Sequence, residues 1–114
     1  MGGSNQAPSP AAFLLGALAG CAVVFIRDTL GPLLNVEITD VRATVRGEAD
    51  FRGLLGLDGA PPDLDGIALD IVVSSPQPER EVSGVMQAWL ERCPVYLALI
   101  KPMKVTTAVA TRRP

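Results

Sequence analysis

The 114-residue chain contains no histidine. That absence removes imidazole acid–base catalysis, Ser–His and Cys–His nucleophile pairs, and every zinc site with a histidine ligand. Basic clusters are missing too. The net charge is −2 and the only adjacent cationic pair is Arg112 and Arg113, whereas nucleic-acid binding depends on neutralising phosphates. No Lys or Arg precedes Arg27, so the chain has no charged region of the kind that opens an export signal, and a cytoplasmic location is expected. Cysteine is limited to Cys21 and Cys93. In a reducing compartment such residues stay as thiols, and any disulfide between them is transient and catalytic. No cofactor or metal is expected, and most of the chemistry left to this chain belongs to its two thiols.

What is present in quantity is apolar sequence. From Ala11 to Ile26 no side chain is charged or a strong hydrogen-bonding group. A helix apolar on every side is buried in a protein core or a membrane. Ser9 followed by Pro10 is a helix start, because Ser caps and Pro loses no bond in the first turn. Asp28, Gly31 and Pro32 are read as the stop. Gly16 and Gly20 lie four apart on one face, where a second backbone can come close. Leu18-Ala19-Gly20-Cys21 has the shape of a lipidation box, but the cationic start is missing and the apolar run continues past Cys21. A membrane span needs roughly 20 apolar residues, and Arg27 and Asp28 interrupt this run first. The run is therefore read as the buried central helix of a soluble protein. A chain this small covers such a helix most readily by pairing with a second copy, so a homodimer is expected.

The rest of the chain alternates clearer signals with weaker ones. Met1 to Pro8 reads as a polar arm. Val36 to Arg46 alternates as a strand but changes phase near Asp40, as a bulge would produce. Glu48 to Arg52 extends that strand or begins another. Leu54 to Asp65, with Gly56, Gly59, Pro61 and Pro62, reads as a loop whose Leu54, Leu55 and Leu57 either anchor it or cover a cleft. Ile67 to Val73 is a second strand, paired with the first. Gln77-Pro78 opens a helix with Glu79 and Glu81 in its first turn, where carboxylates suit the dipole. Val82, Val85, Met86, Trp89, Leu90 and Cys93 form one apolar stripe on it, which turns Cys93 to the core. Arg80, Ser83, Gln87 and Glu91 fall on its solvent side. Pro94 ends this helix and starts a short one over Val95 to Ile100, so Cys93 lies at a helix start, where a thiolate is stabilised. Lys101-Pro102 turns the chain into a last strand over Lys104 to Thr111. Helices and strands segregated in this way define an α+β fold.

By spacing alone, two apolar-faced cysteines on two helices read as core residues. The words around them carry more. SNQAPSPAAFLLGALAGC, followed much later by RCPVYLALIKPMKVTTAV, closely resembles the OsmC/Ohr family, in which a central helix bears one cysteine and a Cys-Pro-Val element the other. The resemblance runs from Asn5 onward, so residues 1–114 are expected to form a single OsmC-like domain that lacks the family's usual N-terminal strands. It implies an α+β fold with a buried central helix and antiparallel sheet, assembled as an intertwined homodimer with sites at the interface. It also implies a chemistry: the cysteine matching Cys21 attacks an organic hydroperoxide and becomes a sulfenic acid. Cys93 then closes a disulfide that a dithiol such as a lipoyl group reduces. The substrate would be a small hydrophobic peroxide, with neither nucleic acid nor membrane as partner. Two features of the family's thiol activation are missing, since Ala11 and Ala12 stand where a glutamate is usual and the segment bearing its arginine partner is absent. Arg27, Arg42, Arg46 and Arg52 are candidate substitutes. The alternative is an OsmC-like dimer without peroxidase chemistry that binds a small hydrophobic ligand.

Overall fold

A computed structural model describes residues 9–113; the arm read into Met1 to Pro8 lies outside the described residues. Helix α1 runs from Pro10 to Val24. Its start follows the local chemistry, with the Ala12 N–H donating to Ser9 Oγ at 3.2 Å and Pro10 in the first turn.

The stop is different. The helix continues through a π-helical turn, Phe25–Leu30, into the short α2, Gly31–Leu33. Arg27 and Asp28 pair with each other on the outside at 2.8 Å, so neither charge opposes the helix. The reason for the continuation is burial. Leu18, Ala22, Ile26 and Leu30 are all buried at a spacing of four. In a 3.6-residue α-helix that spacing drifts by about 40° per step, and the wider π turn returns Leu30 to the covered face. The helix ends instead at Asn35, whose φ of 56° is left-handed, with the Val36 N–H donating back to the Gly31 carbonyl at 2.8 Å. The continuous run Pro10–Leu33 is 24 residues, long and apolar enough to cross a bilayer by length and composition. The length objection to a span therefore does not hold.

Strand β1, Asp40–Gly47, pairs antiparallel with β2, Ile67–Ser74, in unbroken register from Asp40 opposite Ser74 to Gly47 opposite Ile67. No bulge is needed: β1 begins at Asp40, and Val36 and Ile38 belong to the connection before it. Val41, Ala43 and Val45 face Val73, Ile71 and Leu69 across the ladder and pack with α1, while Arg46 and Asp70 pair on the outer side at 3.2 Å. Glu48 to Arg52 is not strand. Asp50 caps a single helical turn, α3, Phe51–Leu54, by accepting from the Arg52 N–H. Leu54, Leu55 and Leu57 are all exposed, so within one chain they neither anchor the loop nor cover a cleft.

Helix α4, Glu79–Arg92, buries Val85, Ala88 and Trp89 along the expected stripe, and α5, Pro94–Ile100, follows at once. Trp89, Ile26, Val85 and Cys93 are the largest fully buried side chains. The core thus lies where α4 crosses the end of α1 and the π turn. Two expectations fail at this level. Lys104 to Thr111 has no assigned secondary structure and pairs with no described strand, and Val105 and Val109 are 71% and 85% exposed. Nor is α1 buried all round: Leu18 and Ala22 are covered, while Phe13, Leu14 and Val24 are exposed. A two-stranded sheet and one crossing helix have surface enough for only one side of it.

Candidate active site: the Cys21–Cys93 thiol pair

Cys21 lies in the last turn of α1, and Cys93 in the one-residue joint between α4 and α5. The fold brings the two cysteines near enough for the Cys93 side chain to act on the ionisation of Cys21. Both are free; Cys93 is 2% exposed and Cys21 half-buried. The Cys21 thiol is pushed above its ordinary pKa, first by loss of solvent and then by the charge and hydrogen bond of Cys93 beside it. Cys93 starts α5, but its side chain makes no capping bond to the first turn. It faces Cys21 instead of the helix's free N–H groups.

Trp89 sits between the two. Its indole N–H donates to the Cys21 carbonyl at 3.3 Å, and its own carbonyl accepts the Cys93 N–H at 2.9 Å. Its ring packs on Tyr96 with centroids 5.2 Å apart. A cavity of about 240 Å³ is lined by Cys93 with Phe25, Leu30, Trp89 and Pro94, and has Thr29 and Arg92 as its polar lining residues. A cavity of that composition accepts an alkyl or aryl group and offers it little hydrogen bonding.

None of the four candidate arginines reaches the thiols. Arg27 is held by Asp28, Arg42 by Asp40, Arg46 by Asp70, and Arg52 by Asp50 with Asp58. Each pairs with an acidic residue near in sequence or, for Arg46, diagonally across the sheet, which fixes it on the exterior. Arg92 and Trp89 had no part in the sequence reading of the site, although both adjoin Cys93 in the chain. Trp89 is four residues before Cys93 on one helix, a spacing that places the two side by side. Among the described residues no three His, Cys, Asp or Glu side chains converge to hold a metal ion.

A sequence model of the OsmC-like protein family matches residues 3–108, both cysteine-bearing helices included. The chain belongs to the OsmC family. The fold agrees: the crystal structure of an OsmC like protein from Mycoplasma pneumoniae superposes with a TM-score of 0.69 at 24% identity, over 88% of this chain and 69% of that one. No curated protein matches the chain. The membrane-length helix, Pro10–Leu33, lies wholly inside the matched residues 3–108.

Proposed function

We propose that the protein is a thiol-dependent peroxidase that reduces organic hydroperoxides through Cys21 and Cys93. The observation that carries the reading is the convergence of the two cysteines at Trp89, which lies four residues before Cys93 on α4 and whose indole N–H donates to the Cys21 carbonyl, with Cys93 near enough to act on the ionisation of Cys21. The Cys21 thiolate attacks the terminal peroxide oxygen, the O–O bond breaks, and the departing alkoxide takes a proton and leaves as alcohol. Cys21 is now a sulfenic acid. The Cys93 sulfur attacks the Cys21 sulfur and expels hydroxide, which leaves as water with the Cys93 proton. A dithiol such as a lipoyl group reduces the resulting disulfide by exchange and becomes a cyclic disulfide. The apolar cavity beside Cys93 selects hydrophobic peroxides over hydrogen peroxide.

Within one chain, all the resolved influences on Cys21 favour the protonated thiol, and a buried thiol without a cation is a poor nucleophile. Activation therefore rests on Arg92 or on an arginine of a second copy. A homodimer fits the surface. The chain exposes 8635 Å², against roughly 6,000 Å² for a compact chain of this mass. Its radius of gyration is 18.3 Å, against roughly 13 Å. Two reduced thiols suit a cytoplasmic setting. The same raised pKa and paired arginines favour a second reading, in which the dimer binds a small hydrophobic molecule without turning it over.

Cumene hydroperoxide consumption with dihydrolipoamide as reductant separates the two. The peroxidase reading expects turnover that Cys21→Ser abolishes and a trappable sulfenic acid on Cys21 in Cys93→Ser. No turnover, with both thiols slow to alkylate in the folded dimer, supports the binder.

A further inference from the structure

We propose that Trp89 is a positioning residue for the thiol pair: its indole N–H holds the Cys21 carbonyl and so keeps the Cys21 sulfur against Cys93. The inference rests on the two cysteines acting as a redox pair.

Three observations carry it. Trp89 is fully buried, so its indole N–H has no water to turn to and must find a protein acceptor. The acceptor it finds is the backbone of one cysteine, while its own carbonyl accepts from the backbone of the other. The second bond is the regular backbone bond that closes α4, so it fixes Trp89 relative to Cys93, and the indole bond then ties that end of α4 to the Cys21 backbone on α1. Moreover, the Cys21 carbonyl already accepts the Phe25 N–H. The indole bond is thus not required to satisfy that oxygen, and its effect is on placement. It falls directly before the π turn, where the helix departs from regular geometry and the direction of Cys21 is least determined by α1 alone. Tyr96, stacked on the indole from α5, limits its tilt from the other side.

The energetic scale is modest. A neutral hydrogen bond contributes about 1 kcal/mol net, and at a redox pair that energy appears as effective concentration. The test is the equilibrium with a lipoamide couple, in which two protein thiols and one cyclic disulfide exchange for a protein disulfide and dihydrolipoamide. Trp89→Phe keeps a ring and removes the donor. It is expected to lower the equilibrium constant for disulfide formation roughly three- to tenfold, the upper figure corresponding to about 30 mV. Val85→Ala, one turn earlier on α4 and fully buried, destabilises the same core without touching either cysteine's backbone, and is expected to leave that constant unchanged. Equal constants for wild type and Trp89→Phe overturn the proposal. So does an equal fall in Val85→Ala, which would mark a general loss of packing. If Trp89→Phe does not fold, the wild-type indole N–H decides. A resonance protected from solvent exchange that shifts on oxidation supports the tether, and one exchanging at an unprotected rate overturns it. Because the lipoamide couple forms the disulfide without peroxide, this result is read independently of turnover. An absent peroxidase activity defeats only the reading of the preceding section.

Discussion

Cys21 is the residue on which the chemistry turns, and its environment sets a direction that can be measured. Its pKa in the folded protein is raised, so between the unfolded and folded values the native state binds the proton that the unfolded chain has lost. The resulting stabilisation is fully present below the ordinary thiol pKa and disappears as pH rises through the folded one. Urea midpoints are therefore expected to fall above about pH 8.5, and to fall less in Cys21→Ser; a midpoint that rises there contradicts the assigned shift. The same shift slows alkylation. At neutral pH Cys21 is expected to react with iodoacetamide at least several-fold more slowly than a free cysteine, unless a second copy supplies a cation. Alkylation rates measured across a dilution series that dissociates the dimer show whether it does.

The helices and strands obey local rules except where burial outweighs them. Gly31 shows how close that contest is. A Cβ there would lie 2.9 Å from Ile38 Cγ1 and 3.0 Å from the carbonyl oxygens of Ile26 and Val36. Alanine gains about 1 kcal/mol in helix propensity over glycine, but overpacking against two backbone carbonyls costs about 1–3 kcal/mol. Ile38 is a side chain and can give, but the two carbonyls are backbone and cannot rotate away, so the cost prevails. Gly31→Ala is expected to lower stability by up to about 2 kcal/mol in chemical denaturation, and a stabilised variant would show that the turn after the π segment can shift. At the other end of the helix, Ser9→Ala removes the bond from the Ala12 N–H. A loss of about 1 kcal/mol is expected there, with α1 fraying as read by amide exchange.

Seen as a whole molecule, one chain leaves half of its longest helix uncovered and its last segment without a ladder. A Cβ at Gly16 or Gly20 would meet nothing within 4 Å, so a single chain tolerates a large side chain at either position. A dimer packed through α1 does not. Sedimentation is expected to show a dimer for the wild type, while Gly20→Leu becomes monomeric with its helical circular dichroism retained. A Gly20→Leu dimer of wild-type affinity would place the interface elsewhere. Removing residues 103–114 is expected to weaken association as well, because the alternating sequence over Lys104 to Thr111 has the pattern of a strand and pairs with none of the described residues.

The sequence by itself determined the start of α1, strand β2, the α4 stripe and the break at Pro94, because each depends on neighbours within a turn or a strand. It determined the family too, since the words around Cys21 and Cys93 are local. The convergence of those cysteines was implied by the resemblance and could not be derived from spacing, because it depends on how two helices cross. Only the tertiary structure decided that Asp28, Gly31 and Pro32 do not end the helix: a buried row of Leu18, Ala22, Ile26 and Leu30 is worth more than three weak stop signals. Only it showed each of the four candidate arginines captured by an acidic neighbour, and the Trp89 indole reaching across to the Cys21 backbone. Charge pairing and side-chain tethers are matters of distance in space, and that distance is set by packing after the local preferences are satisfied.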